Sequence, residues 1–171
     1  MQAARHAGAT VVAAVGGPVK VAHARTRGAD IVVDYDEASW ANTVRAELDG
    51  RAVTVALDGV GGDKGRQALE VLGPGGRLLL YGWSSGSATA LTSMDLFGRG
   101  ITASAAIGPG PSQTQGPIRR LEEHAMEALA TGTMIPVVGQ SFPLAQAAEA
   151  HRAIESRATI GKTVLTTGGQ Q

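Results

Sequence analysis

Gly16-Gly17, Lys20, Tyr35, Asp58-Gly-Val-Gly-Gly62 and Gly82-Trp-Ser-Ser85 are where this sequence is equipped for chemistry, and that chemistry is holding a ligand rather than breaking a bond. Glycines at strand ends let a backbone approach a ligand closely, and a lysine beside them complements an anionic group by charge. No nucleophile or general base is evident. Ser84 and Ser85 have no histidine partner, and Gly82-Trp-Ser-Ser-Gly86 lacks the G-x-S-x-G spacing of a nucleophile elbow. Cysteine is absent, which removes thiolate nucleophiles, disulfides and the sulfur ligands of structural zinc. His6, His23, His124 and His151 lie far apart and match no H-E-x-x-H or similar ligand pattern. No catalytic residue and no metal ligand is therefore assigned.

The elements that must position these residues follow from apolar runs and glycine punctuation. A chain of 171 residues with 43% hydrophobic content has room for one ordinary domain with a normal core. Fifteen basic residues balance fifteen acidic ones, so there is no basic field to hold nucleic acid or an anionic membrane. No apolar stretch reaches the roughly 20 residues that span a bilayer, and no charged n-region leads an apolar one; a cytoplasmic location is expected. Thr10 to Val15 is a short β-branched run closed by Gly16-Gly17-Pro18, the pattern of a buried parallel strand. A helix over Lys20 to Arg27 ends at Gly28, and Ile31 to Val33 forms the next strand, ending near Asp34-Tyr35.

Asp36 or Ser39 caps a helix through Trp40, Val44 and Leu48, whose spacing of four places them on one face. Val53 to Leu57 is a strand, Gly65 to Leu72 a helix, and Arg77 to Tyr81 a strand entered through Gly73-Pro-Gly-Gly76. Ile101 to Ala106 makes a further strand. Gly108-Pro-Gly-Pro111 opens an exposed loop through Gly116-Pro117, followed by an amphipathic helix from Pro117 to Thr131. An extended segment over Ile135 to Phe142, a helix from Leu144 to Ser156 and a strand at Lys162 to Thr166 complete the chain, with Thr167 to Gln171 as a tail. Strands alternating with helices of about ten residues are the signature of βαβ units and a parallel sheet. In such sheets ligands sit outside the carboxyl ends of the strands, which is where the Asp58 and Gly82 segments fall.

Taken in order, Val15-Gly-Gly-Pro-Val-Lys20, Gly28-Ala-Asp30, Asp34-Tyr35, Leu57-Asp-Gly-Val-Gly-Gly62, Leu72-Gly-Pro-Gly-Gly-Arg77 and Tyr81-Gly-Trp-Ser-Ser-Gly86 resemble the quinone oxidoreductases, a zinc-independent branch of the medium-chain dehydrogenase/reductase superfamily. Phe142-Pro-Leu, Ala148-Glu-Ala-His151, Glu155-Ser-Arg-Ala-Thr159 and Gly161-Lys162 resemble that family's C-terminal signature. The resemblance implies an α/β fold of class partial Rossmann-like: a doubly wound parallel sheet lacking its first strand and glycine loop, with a C-terminal helical and extended segment. Met1 to Ala7, with Gly8 after it, looks like the back half of the helix that follows that loop. The family's strand order then leaves the strands in two groups with a gap where the first strand belongs. Residues 1–112 are expected to form the partial NADP-binding domain and 113–166 to complete it, returning toward an N-terminal GroES-like domain that is not in this chain. The chain is thus expected to be a fragment, inactive alone.

The resemblance also implies NADP(H) as cofactor and a small-molecule acceptor, a quinone or an α,β-unsaturated carbonyl. The strand-2 end of a dinucleotide fold carries an acid in NAD enzymes; here it reads Gly16-Gly17, with Lys20 where the family binds the 2′-phosphate. Tyr35 matches a tyrosine that reaches the adenosine phosphate region. Gly59, Val60, Gly82, Trp83 and Ser84 are implied on the nicotinamide side, while Arg157 and Lys162 match residues that close over the cofactor. The absence of a nucleophile fits hydride transfer, since the nicotinamide carries that chemistry. The apolar strand at Ile101 to Ala106 is expected to pair with its twin in a homodimer. Two other readings compete: an S-adenosylmethionine-dependent methyltransferase, suggested by Leu72-Gly-Pro-Gly-Gly-Arg-Leu-Leu-Leu80 but opposed by the absence of an acid at Gly16, and a non-catalytic module acting through association.

Overall fold

Every strand pairing in the computed structural model is parallel, so each connection must cross over, and helices supply the crossings. The structure describes residues 1–105 and 115–168; the Gly108 to Pro111 turn, Ala106 and the last three residues of the expected tail lie outside them. The chain divides into two units at Arg119, with Gln2 grouped in the second.

In the first unit, a short helix α1 (Gln2–His6) ends before Gly8, whose φ of +80° matches the helix-ending role read from the sequence. β1 (Val12–Val15) pairs with β2 (Ile31–Asp34), Val15 standing opposite Asp34. Between them α2 (Pro18–Thr26) starts on a proline, whose missing N–H costs nothing in a first turn, and gives out before Gly28 at φ +87°. α3 (Trp40–Glu47) buries Trp40, Val44 and, past its end, Leu48 against Val33 and Tyr35. This is the face that the spacing of four predicts. Ser39 occupies the N-cap position, but its side chain makes no capping bond. Asp49 and Gly50, both at positive φ, turn the chain out of the helix.

β3 (Val53–Asp58), α4 (Gly62–Val71) and β4 (Leu72–Leu80) form the next crossover. The ladder jumps from Val53 opposite Leu72 to Val55 opposite Arg77, so the Gly73-Pro-Gly-Gly76 run is an excursion within the strand rather than its approach. β5 (Thr102–Ala105) pairs with β4 and ends opposite Leu80. Leu69, Leu72, Leu78 and Ile101 make a second core, in which Leu69 and Leu78 are fully buried.

One helix was not expected from the apolar pattern, α5 (Ser93–Arg99). A capping box starts it: the Thr92 side chain accepts from the Asp95 N–H and the Asp95 carboxylate accepts from the Thr92 N–H. Gly100 at φ +62° ends it. The helix grips α4 at its middle and at its C-terminal end. Arg99 donates to the carbonyls of Leu69, Glu70 and Leu72 at 3.1, 3.3 and 2.8 Å, satisfying the acceptors that a helix C-terminus leaves open. Arg66 of α4 pairs with Asp95 at 2.8 Å.

The strands of this unit fall into two separate sheets, β1-β2 and β3-β4-β5, with no ladder between β1 and β3 among the described residues. This is the gapped order that the family resemblance implies, and the fold is Rossmann-like. α6 (Gln115–Ala130) begins two residues before the expected Pro117, so Gly116-Pro117 belongs to a helix and not to a loop. A proline is tolerated there because the first turn has no intrahelical acceptor for its N–H. In the second unit β6 (Val138–Pro143) pairs in parallel with β7 (Lys162–Thr166). A single 3-10 turn, Leu144–Gln146, leads into α7 (Ala147–Glu155), where one continuous helix was expected. No helix among the described residues is long and apolar enough to cross a membrane.

The α4–α5 clamp sets an acid limit. Hydrogen bonds from Arg66, then from Thr92, hold the Asp95 carboxyl well below the usual carboxylate range. A depressed carboxyl contributes stability that is complete above its unfolded value, about pH 4, and is lost as pH falls through the folded value. Asp95→Asn should therefore lower stability at neutral pH and flatten the loss of stability below about pH 4. Urea unfolding of both proteins between neutral pH and the acid limit checks this; parallel pH profiles would remove the clamp from the account.

Candidate functional site

The carboxyl ends of β3 and β4 are joined through one buried acid. Asp58, the last residue of β3, is 4% exposed. Its Oδ1 accepts the N–H groups of Val60 and Gly61, both at 2.9 Å, and its Oδ2 accepts the Thr89 hydroxyl. Main-chain bonds then fasten the segment after β4 to the segment after β3. Tyr81 N–H donates to the Asp58 carbonyl at 2.9 Å, Ser84 N–H to Gly59 at 3.1 Å and Ser85 N–H to Val60 at 2.9 Å, while Gly62 N–H donates back to Ser87 at 2.9 Å.

This close approach explains two of the glycines. A Cβ on Gly59 would stand 2.5 Å from the Tyr81 ring, and one on Gly82 would stand 3.2 Å from the Gly59 carbonyl oxygen. Beside this double loop lies a cleft of about 420 Å³. Leu80 and Ala105 at the strand ends form part of its lining, with Tyr81, Gly82 and Trp83 on the segment after β4 and Thr89 further along. Trp83 keeps 65% of its surface exposed, so a large apolar face is available to a flat ligand. Gly59, Val60, Gly82, Trp83 and Ser84 are thus brought together at one place.

A second locus forms where β1 and β2 end. Gly17 N–H donates to Asp34 Oδ1 at 3.0 Å and Asp36 N–H to the same oxygen at 3.0 Å. These two backbone bonds, Gly17's first, hold the Asp34 carboxyl below its ordinary range. Gly17, at φ +86°, is the N-cap of α2, and half-buried Lys20 follows in its first turn. A Cβ on Gly16 would come within 2.8 Å of the Tyr35 ring. Gly16, Gly17 and Tyr35 therefore share one turn region, with Lys20 leaving it along α2.

Lys64, which no sequence motif marks, links this region to α4. Its ammonium donates to the Tyr35 carbonyl and stands 5.5 Å from the centre of the Tyr35 ring, a cation–π distance. The glycine motif at 57–62 contains Asp58 without giving it a role, and nothing local marks a threonine 31 residues away as its partner. Arg157 and Lys162 belong to the second unit. Arg157 turns the chain after α7 at a left-handed φ of 59°, and exposed Lys162 opens β7. Among the described residues no three of His, Asp and Glu come together as a metal-holding group.

Asp58 offers a graded test. Asparagine keeps an acceptor for Val60 and Gly61 and turns an amide toward the Thr89 oxygen, whereas alanine strands two N–H donors and a hydroxyl. We expect Asp58→Asn to cost about 1 kcal/mol and Asp58→Ala about 3 kcal/mol or more. Urea midpoints at unchanged slope measure both, and equal costs would show that the hydrogen bonds do not organise the turn.

Comparison with known proteins agrees with this geometry. A family model described as zinc-binding dehydrogenase matches residues 27–165. The 2-haloacrylate reductase of a Burkholderia species is 32% identical over 166 residues, covering 95% of this chain and 49% of that protein. The crystal structure of Escherichia coli quinone oxidoreductase complexed with NADPH superposes with a TM-score of 0.85 at 28% identity, over 97% of this chain and 52% of that one. That of an NAD-dependent alcohol dehydrogenase gives 0.83 at 32% identity, over 98% and 46%. The chain spans about half the length of the curated relatives it matches. With the parallel gapped sheet, the glycine-built strand ends and a family match over most of its length, this chain belongs to the zinc-binding dehydrogenase family of oxidoreductases.

Proposed function

We propose that this chain carries the cofactor site of an NADPH-dependent reductase acting on quinones or α,β-unsaturated carbonyls. The observation that carries the reading is the pair of glycine-cleared loci at the carboxyl ends of parallel strands, one beside a cleft and one beside a lysine. The similarity to quinone oxidoreductase and 2-haloacrylate reductase supports the choice of acceptor. The residues fit a dinucleotide, since glycine at 59 and 82 lets the two strand-end segments close on each other and a cleft with the exposed Trp83 in its lining lies beside them.

In this reading Gly59, Val60, Gly82, Trp83 and Ser84 line the nicotinamide side, and Gly16, Gly17, Lys20 and Tyr35 take the adenosine end. When bound, the nicotinamide supplies the hydride. The chain orients it: Asp58 fixes the turn, Trp83 and Tyr81 offer apolar surface that displaces water, and Lys20 answers the 2′-phosphate by charge. Zinc, which the family's name implies, does not fit this chain. Cysteine is absent, no group of three other ligands forms among the described residues, and no step is assigned to a metal.

The cofactor assignment is tested with Lys20→Glu. Read in an active protein that holds this chain together with a substrate domain, it should raise the Michaelis constant for NADPH about tenfold, the effect of roughly 1.4 kcal/mol of lost charge pairing, and leave that for NADH nearly unchanged. Equal use of both cofactors by that protein without the substitution would count against the assignment.

We further propose a homodimer through β5. Its Thr-Ala-Ser-Ala sequence carries no charge, and β4 is its one hydrogen-bonded neighbour among the described residues, leaving an edge of the kind that pairs with another chain. Ala103→Lys should shift the sedimentation profile toward monomer. A protein that is monomeric at micromolar concentration before any substitution removes the edge from consideration.

A further inference from the structure

Gly16 stands where a dinucleotide fold that selects an unphosphorylated ribose places its acid, at the end of the strand before the second helix. Its lack of a side chain does not leave the place free of charge. A Cβ built on Gly16 lies 2.9 Å from Asp36 Oδ2 and 2.8 Å from Tyr35 Cε2. The Asp36 carboxylate therefore occupies the volume in which a β1-end side chain would begin, having reached it from the end of the neighbouring strand. The register makes this possible: Val15 pairs with Asp34, and Tyr35 N–H donates to the Val15 carbonyl at 2.9 Å, so the residues after β2 pass directly beside Gly16.

Asp34 cannot serve in the same way. Its Oδ1 is committed to the N–H groups of Gly17 and Asp36, and those bonds define the turn. Asp36 is exposed, and its side chain is available to a ligand lying over Gly16.

We propose that Asp36 is a specificity-determining residue for the nucleotide's ribose: its carboxylate accepts a free 2′-hydroxyl, repels a 2′-phosphate and so opposes Lys20. The inference rests on the cofactor reading above and deepens it. A phosphate monoester carries about −1.5 to −2 charges at neutral pH. Placed beside a carboxylate it is repelled, but an exposed pair is screened by water and salt, so Asp36 tempers the preference for the 2′-phosphate rather than reversing it. The likeness of this chain both to an NADPH complex and to an NAD-dependent dehydrogenase accords with a site in which the two charges compete.

The test is calorimetric titration of the protein with adenosine 2′,5′-bisphosphate and with 5′-AMP, which needs no turnover. Asp36→Asn keeps an acceptor for the 2′-hydroxyl and removes only the charge. It should tighten the bisphosphate about three- to tenfold at low ionic strength, with the gain shrinking at high salt as the Debye length contracts, and change 5′-AMP less than about twofold. Asp36→Ala removes the acceptor as well and should weaken 5′-AMP several-fold. Matching thermal melts for all three proteins, expected for an exposed residue, keep the comparison free of folding effects. An unchanged ratio of the two affinities in both variants overturns the role of Asp36 while leaving the cofactor site standing. Binding of neither nucleotide by the unmodified protein overturns the cofactor reading, and this inference with it.

Discussion

Both carboxylate oxygens of Asp58 are spent inside the protein, and the cleft region depends on how they are spent. One oxygen gathers the N–H groups of the turn after β3, and the other receives the Thr89 hydroxyl. Burying a carboxylate is costly unless hydrogen bonds satisfy it. Here three donors do so, and the same three donors fix a main-chain turn and the far end of the segment after β4. With that acid satisfied, the backbones of residues 58–62 and 81–87 approach closely enough to exchange hydrogen bonds outside the sheet. Glycine at 59 and 82 follows from that approach, since any Cβ would meet the opposite segment.

The same economy of side chains appears at the end of β1. Gly16 and Gly17 supply no chemistry of their own, yet their bareness lets Tyr35 and Asp36 fold across from β2 and lets Asp34 tie the turn through a backbone N–H. Lys64 then bridges from α4 to the Tyr35 carbonyl, so the two loci of the site are connected through one helix. That helix is held in turn by α5, which pairs Asp95 with Arg66 at its middle and caps its last carbonyls with Arg99. A helix that contributes no buried residue to the core thus fixes the one that carries Lys64.

Much of this architecture is legible in the sequence because it is encoded locally. Short β-branched runs, glycines at positive φ after helices, and Trp40, Val44 and Leu48 at a spacing of four each specify an element within a dozen residues, and each element is found in place. The gapped strand order also follows, since the motifs arrive in a recognisable sequence. α5 escaped because its larger apolar residues, Met94 and Phe97, are 70% and 81% exposed and give no periodic buried face; the signal that marks it is the Thr92-x-x-Asp95 capping box. Gly116-Pro117, the expected end of a loop, lies in a helix start, because a glycine and a proline punctuate a chain equally well at a turn and in a first helical turn.

Local sequence is enough for most of the elements, for their order and for the glycines at the strand ends, with α5 the exception. Tertiary structure decided which side chains meet there. The partnership of Asp58 with Thr89, that of Lys64 with Tyr35, and the presence of the Asp36 carboxylate over Gly16 join residues 31, 29 and 20 positions apart. Periodicity has no reach over such distances, because the neighbours of a strand end are set by the register of parallel strands. That register is fixed by crossovers whose length is free to vary. An acid missing from one strand end was therefore readable from the sequence, while an acid lent to it by the next strand was not.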